Sequence, residues 1–205
     1  MIMKPFVPAI GLLLAIAHWV CAAETLRPRD PSFRNEVQRA IEKGLDYLKT
    51  SQNSNGWWST PDHPSVTALA LSAFMGEPQQ RYRNAPNVKK GYDFVLGCVR
   101  PDGGIYVTNL ANYNTSITMM GLLAAHEAKY DAVLRNARSF VAGMQVDTGE
   151  KGKVDSPWDG GVGYSHNETR SDMNNTLVAL EALYYSKHLA QDTKQIGRAS
   201  CRERV

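Results

Sequence analysis

The chain has 205 residues, with 23 Lys and Arg against 20 Asp and Glu, and its formal net charge of +3 comes entirely from the two ends. Setting aside Lys4 at one end and Arg198, Arg202, Glu203 and Arg204 at the other leaves basic and acidic side chains equal in number, with no Lys/Arg cluster. That balance removes the electrostatic footprint expected of a nucleic-acid binder.

In chain order, Lys4, the apolar stretch from Phe6 to Val20 and the small residues of Cys21-Ala22-Ala23 read as a secretory signal over residues 1-23. The run is too short and wrongly flanked for a spanning helix, which needs about 20 apolar residues. A lipid anchor on Cys21 is the rival, but His18-Trp19-Val20 lacks the small residue expected before a lipidated cysteine. The expectation is a secreted or periplasmic protein with no stable membrane span after signal cleavage. Residues 24-195 form the domain, about 170 residues and long enough for one core. Cys21 and Cys201 fall outside it, so Cys98 stands alone and no intrachain disulfide is available.

Six helices are predicted. Asp30-Pro31 supplies an N-cap and a first-turn proline, followed by the apolar stripe Val37, Ile41, Leu45 and Leu48. The second helix runs from about Ser65 to Phe74 and stops near Gly76 and Pro78; the third, from about Asn87 to Leu96, carries Val88, Tyr92 and Val95 on one face. The fourth runs from about Thr115 to Ala128, enclosing His126; the fifth carries Val133, Ala137, Phe140, Val141 and Met144; the sixth spans Asp172 to roughly Lys187. Linkers rich in Asn, Gly, Pro and Asp separate them, and no strand-like alternation appears. The final ten residues, Ile196 to Val205, back-translate into a common short-read sequencing adaptor, so 196-205 are expected to be a non-native tail without packing contacts, with the natural protein cut off near Lys194.

The helices come in pairs that repeat at roughly 47 residues, each copy reading helix, Gly-aromatic loop, helix. Gly44, Tyr47 and Leu48 are echoed by Gly91, Phe94 and Val95, then by Ala137, Phe140 and Val141. In the second halves, Thr67, Leu69, Leu71, Ala73 and Phe74 are echoed by Thr115, Ile117, Met119, Gly121 and Leu122, then by Thr176, Val178, Leu180, Ala182 and Leu183. Apolar types kept at helical spacing define an all-α array in which each hairpin buries its apolar face only against its neighbours.

The loops carry a family resemblance. Gln52 to Trp58 matches a Q-x-x-x-G-x-W pattern, Arg100 to Tyr106 is a degraded copy with Arg for Gln and Tyr for Trp, and Asp159 to Ser165 leads into Asp172 to Leu177. These stretches resemble the repeats of terpenoid cyclases, protein prenyltransferases and bacterial prenyltransferase/squalene-oxidase repeat proteins over residues 33-190. The resemblance implies a partial α/α toroid of three hairpins, about half of an (α/α)6 barrel, whose inner helices line a central cavity holding an unknown ligand. Physically, Gln52, Gly56, Trp58, Gly104, Tyr106, Gly161 and Tyr164 form a structural loop motif: glycine takes the positive φ a hairpin needs, the aromatic closes the gap between hairpins, and the amide of Gln52 bonds free backbone groups at the next helix start. Trp57 or Trp58 and Tyr106 are therefore expected between neighbouring hairpins.

The resemblance places chemistry at the N-terminal ends of the inner helices. The polar residues there are Asp62 and His63, then Asn112 and Tyr113, then His166, Asp172 and Asn174. Of these Asp62, His63, His166 and Asp172 are the catalytic candidates, with capping the simpler role for Asp172 and a plain loop position for His63. The acidic D-x-D-D cluster of the cyclases is absent from the chain, and the prenyltransferase zinc-ligand position is Asn175, a poor ligand. No metal and no cofactor are expected. Asn114, Asn167 and Asn174 match the glycosylation pattern. The leading expectation is a secreted repeat protein acting as a binding or interaction toroid. The alternative is a terpene-cyclase-like or polysaccharide-degrading toroid enzyme whose catalytic residues lie in a missing C-terminal half.

Overall fold

The computed structural model describes residues 30–165 and 168–190. The signal segment, the adaptor-like tail and His166 lie outside the described residues. The helices are α1 (Pro31–Ser51), α2 (Pro64–Met75), α3 (Pro86–Gly97), α4 (Ala111–Ala124), α5 (Asp131–Gly143) and α6 (Met173–Tyr185), with short 3-10 turns at Ala128–Tyr130 and Lys187–Leu189. The protein is all-α: among the described residues the only extended pairings are the isolated bridges Val99 to Ile105 and Gln145 to Val162.

Residues 30–42 hold the start of α1. The Ser32 amide donates to Asp30 Oδ1 at 2.9 Å, satisfying one of the free N–H groups of the first turn. One turn further on, the Gln38 amide donates to Glu42 at 3.1 Å.

Residues 43–190 form two layers. Helices α2, α4 and α6 pack side by side as the inner layer; α3 packs on α2, and α5 packs on both α4 and α6 as the outer one. This is the layering of a partial α/α toroid. Small residues bring the inner helices close: a Cβ at Gly121 on α4 would stand 3.0 Å from Ala68 on α2. Leu71, Phe74, Met119, Leu122 and Val141 are fully buried between the layers. Tyr92 of α3 is buried too and donates from its hydroxyl to the Gly121 carbonyl at 3.0 Å; burial pushes its phenol well above the usual tyrosine range.

Two boundaries differ from the sequence expectation. Helix α4 begins at Ala111 rather than near Thr115, because the left-handed Leu110 (φ 51°) starts the helix early and the buried Asn112 and Asn114 find partners on neighbouring helices and loops. It also ends at Ala124, and His126 is not helical: it takes a left-handed φ of 52° and is exposed. Helix α6 leaves Met173, Leu177, Leu180 and Tyr184 exposed along one stripe. Their register counterparts on α4 include Asn112, Ser116 and Met119, all fully buried.

Candidate functional site

The loops between the helix pairs share one geometry. In the first, the Asn53 amide donates to the Trp57 carbonyl (2.9 Å), the Gly56 amide donates to the Asn53 carbonyl (2.9 Å), and the Trp58 amide donates to the Thr67 hydroxyl (3.1 Å). In the second, Arg100 donates to Gly104 (2.8 Å), Gly103 to Arg100 (3.0 Å), and the Ile105 amide to the Thr115 hydroxyl (2.9 Å). In the third, Val146 donates to Gly161 (2.8 Å), Gly160 to Val146 (2.8 Å), and the Val162 amide to the Thr176 hydroxyl (2.9 Å). The echoed threonines thus hold each loop to its inner helix.

This pattern shifts the turn glycine of the second and third loops by one residue, and the position equivalent to Trp58 by one residue in the second loop and two in the third. The turn glycines with positive φ are Gly56, Gly103 and Gly160 (99°, 92° and 83°), so the residues equivalent to the buried Trp58 are Ile105 and Val162, not Tyr106 and Tyr164. The counterparts of Gln52 are likewise Val99 and Gln145. Gln52 donates to the carbonyls of Gly56 (2.9 Å) and of Asn87 in the first turn of α3 (2.8 Å), and Gln145 donates to Gly160 (2.7 Å). Gln145 was legible as a glutamine just past the fifth helix, but an insert of residues 147–159 separates it from its glycine. Asp159 anchors that insert, accepting from the Thr148 amide and hydroxyl and from the Asp155 and Ser156 amides at 2.8–2.9 Å.

The loops also join successive repeats. Trp58 is buried, donates from its indole to the Leu48 carbonyl at 2.7 Å, and lies 6.0 Å from the Phe74 ring. A Cβ at Gly56 would meet the Lys90 carbonyl of α3, and one at Gly103 the Asn136 carbonyl of α5, so each loop sits against the outer helix of the next repeat. Tyr106 stacks on Phe140 of α5 at 5.8 Å, and its hydroxyl donates to Asp102 at 2.6 Å. Tyr164, in the last loop, is exposed.

At the N-terminal ends of the inner helices, polar side chains meet one another instead of opening onto space. Asn114 Oδ1 accepts from the Ser65 hydroxyl of α2 at 2.8 Å, and its Nδ2 donates to the Asn109 carbonyl at 3.0 Å. Asn112 donates to the carbonyls of Gly163 (3.0 Å) and Asn175 (3.1 Å) and accepts from Ser116 (3.0 Å). Asp172 caps α6, accepting from the Asn175 amide at 2.9 Å and from its side-chain Nδ2 at 2.5 Å. This chain of buried amides ties α2, α4 and α6 together, and pairwise sequence reading missed it because its partners lie in different repeats. Its burial also removes Asn114 as a glycosylation acceptor.

Of the catalytic candidates among the described residues only Asp172 joins this network, as a cap; Asp62 and His63 stand apart from it. Asp62 is exposed and accepts from the Thr60 hydroxyl at 3.2 Å. His63, half-buried, precedes α2 without capping it. Asn174 is exposed and Tyr113 half-buried. Among the described residues no group of three His, Cys, Asp or Glu side chains is placed to hold a metal ion. Cys98 is free and buried, and burial pushes its thiol up, away from nucleophilic use.

A second feature lies on the inner helices themselves. Counting from the three threonines, Leu69, Ile117 and Val178 hold one register position; Ser72, Met120 and Glu181 the next; Gly76, Ala124 and Tyr185 the one after. Leu69 is 52% exposed and Tyr185 54% exposed, and Ile117, Met120, Ala124 and Val178 are half-buried. The result is a largely apolar face in matched register on successive helices, interrupted by Ser72 and the exposed Glu181 and only partly covered by the rest of the described chain.

The sequence is 27% identical over 134 residues to alpha-onocerin synthase of Lycopodium clavatum, a terpene cyclase; the match covers 56% of this chain and 17% of that protein. The similarity is distant, and the chain spans less than a fifth of that relative's length. No family model matches the sequence, and no solved structure matches it. Among the described residues no helix is long and apolar enough to cross a membrane.

Proposed function

We propose that this chain is a secreted or periplasmic terpene-cyclase-like repeat protein that binds an apolar ligand along its inner helices. The observation that carries the proposal is the register-matched apolar face of Leu69, Ile117, Met120, Val178 and Tyr185. Apolar side chains left partly uncovered on neighbouring helices favour a ligand that shields them from water, at about 25 cal/mol for each Å² covered. The polar residues at the helix starts hold the helices together through the Asn112, Asn114 and Asn175 network, a structural task. Titration of isotope-labelled protein with farnesol tests this. Amide shifts confined to the Leu69, Ile117 and Val178 face, lost in Ile117→Glu, are expected; saturable binding that Ile117→Glu leaves intact, or no binding, would overturn the reading.

A second reading, a cyclisation enzyme to which this chain contributes one part, is favoured by the similarity to a terpene cyclase. It is tested by incubating the product of the complete gene with squalene. A cyclised product would support catalysis; an unchanged substrate with tight binding would support the ligand-binding role alone.

A further inference from the structure

A recess of about 410 Å³ opens between the C-terminal ends of α4 and α6 and the start of α5. This volume is within the usual range of small-molecule sites. Its walls are mostly apolar, with Met120, Leu123 and Leu134 on one side and the Tyr185 ring on the other. Because Met120 and Tyr185 also belong to the apolar inner face, the inference rests on that reading of the face and deepens it.

Four polar side chains reach the recess: His126, Glu127, Asp131 and His188. The Glu127 carboxylate is held by Lys129 Nζ at 2.5 Å. Asp131, half-buried, has no ion-pair partner within 4 Å among the described residues. Arg135, one turn along α5, makes no ion pair with it within 4 Å, and two further cations of this region have other contacts. Lys187 lies over the Tyr184 ring at 4.3 Å, and Arg138, buried two turns along α5 from Asp131, donates to the Leu183 carbonyl and the Ser186 hydroxyl. His126 and His188 are exposed at the rim.

The recess therefore combines apolar walls with one carboxylate, at the first turn of α5, that lacks an ion-pair partner among the described residues. A purely apolar occupant would desolvate that carboxylate without offering it a partner, and an anionic one would be repelled by it. A compact ammonium with an apolar body satisfies both features, and the Tyr185 ring adds a face on which a cation is attracted. We infer that this recess is a binding site for a small apolar amine in its protonated form, with Asp131 as the residue that selects for charge.

The experiment compares 2-phenylethylammonium, 2-phenylethanol and phenylacetate at pH 8 by amide-shift titration of the whole protein. The ammonium is expected to bind roughly tenfold or more tightly than the alcohol, phenylacetate to bind most weakly, and the shifts to centre on His126, Asp131 and Tyr185. Asp131→Asn should bring the ammonium down to the affinity of the alcohol, and Met120→Trp should abolish both by filling the recess. In the unaltered protein, 1 M salt should shrink the preference, a readout independent of any variant's folding. Equal affinity for all three probes, a preference surviving Asp131→Asn, or binding that Met120→Trp leaves intact would overturn the inference. The two readings fail separately: farnesol shifts at Leu69 and Ile117 without any amine preference refute only the recess site, and an amine preference without farnesol binding refutes only the apolar-face reading.

Discussion

Replacing Thr115 with valine isolates the bond that holds the second loop to its inner helix. The Thr115 side chain is fully buried, and its hydroxyl accepts from the amide of Ile105, itself fully buried, at 2.9 Å. Valine keeps the shape and removes the acceptor, so the Ile105 N–H is left in the core without water. A buried donor stranded this way costs about 1–3 kcal/mol, part of which is offset because the hydroxyl no longer has to be desolvated. A net loss of about 1–2 kcal/mol is expected. Thr115→Ser keeps the acceptor and removes one methyl, at a cost of about 1 kcal/mol. Urea unfolding gives the energies, and hydrogen exchange of the Ile105 amide identifies the cause: protection should fall in Thr115→Val and survive in Thr115→Ser. The half-buried Thr176 holds the third loop in the same way, and Thr176→Val should cost less, because water can replace the lost acceptor for Val162. If Thr115→Val unfolded at the wild-type urea concentration with the Ile105 amide still protected, the loop would not depend on this bond.

Gly103 has φ +92° and a Cβ there would stand 2.8 Å from the Asn136 carbonyl, so Gly103→Ala should destabilise by about 1–3 kcal/mol. By contrast Gly44→Ala, in α1 with nothing within 4 Å, should stabilise by about 0.5–1 kcal/mol; thermal melts of the two variants should move in opposite directions. The Thr148 amide is the largest influence holding Asp159 below the usual carboxylate range, with the Thr148 hydroxyl and the Ser156 and Asp155 amides adding to it against burial. A lowered folded-state pKa means that the ionised carboxylate stabilises the insert above about pH 4 and that this is lost as pH falls further, so Trp158 fluorescence should change only below about pH 4 and Asp159→Asn should show the change already at pH 7. The stripe of Met173, Leu177, Leu180 and Tyr184 should drive self-association, each side chain contributing about 1–2 kcal/mol when covered. Light scattering should report particles larger than a monomer that Leu177→Glu disperses, and a monodisperse wild type with a sharp, high melting transition would overturn this.

Much of the architecture was legible because it repeats. The stripe of α3, the Asp30 cap and the echoed threonines all appear in the linear order, and period and capping chemistry are local properties. What the order of residues hid was tertiary. Asn112 and Asn114 are poor helix formers, since their amides compete for backbone groups, yet both lie inside α4, where those amides bond Asn175 and Ser65 on neighbouring helices. Tyr106 and Tyr164 look like partners for Trp58 in the linear order, whereas the equivalence is set by which glycine takes positive φ and falls one residue earlier, at Ile105, and two earlier, at Val162. The candidate site was read at one end of the inner helices, where polar residues gather. The recess beside Asp131 lies at the other end and depends on how α4, α5 and α6 come together.

The third loop shows where this architecture tolerates growth. Asn53 and Trp57 close the first turn across four positions, and Val146 and Gly161 close the third with the same backbone bond across fifteen. The inserted residues leave from between two groups that stay paired, so the helices do not register their presence, and the entropic cost of a longer excursion rises only with the logarithm of its length. The corresponding points, between Asn53 and Gly56 and between Arg100 and Gly103, are ready sockets: a foreign peptide spliced into either would be displayed on a rim already clamped from below, and new recognition surfaces can be acquired there one loop at a time without redesign of the helices.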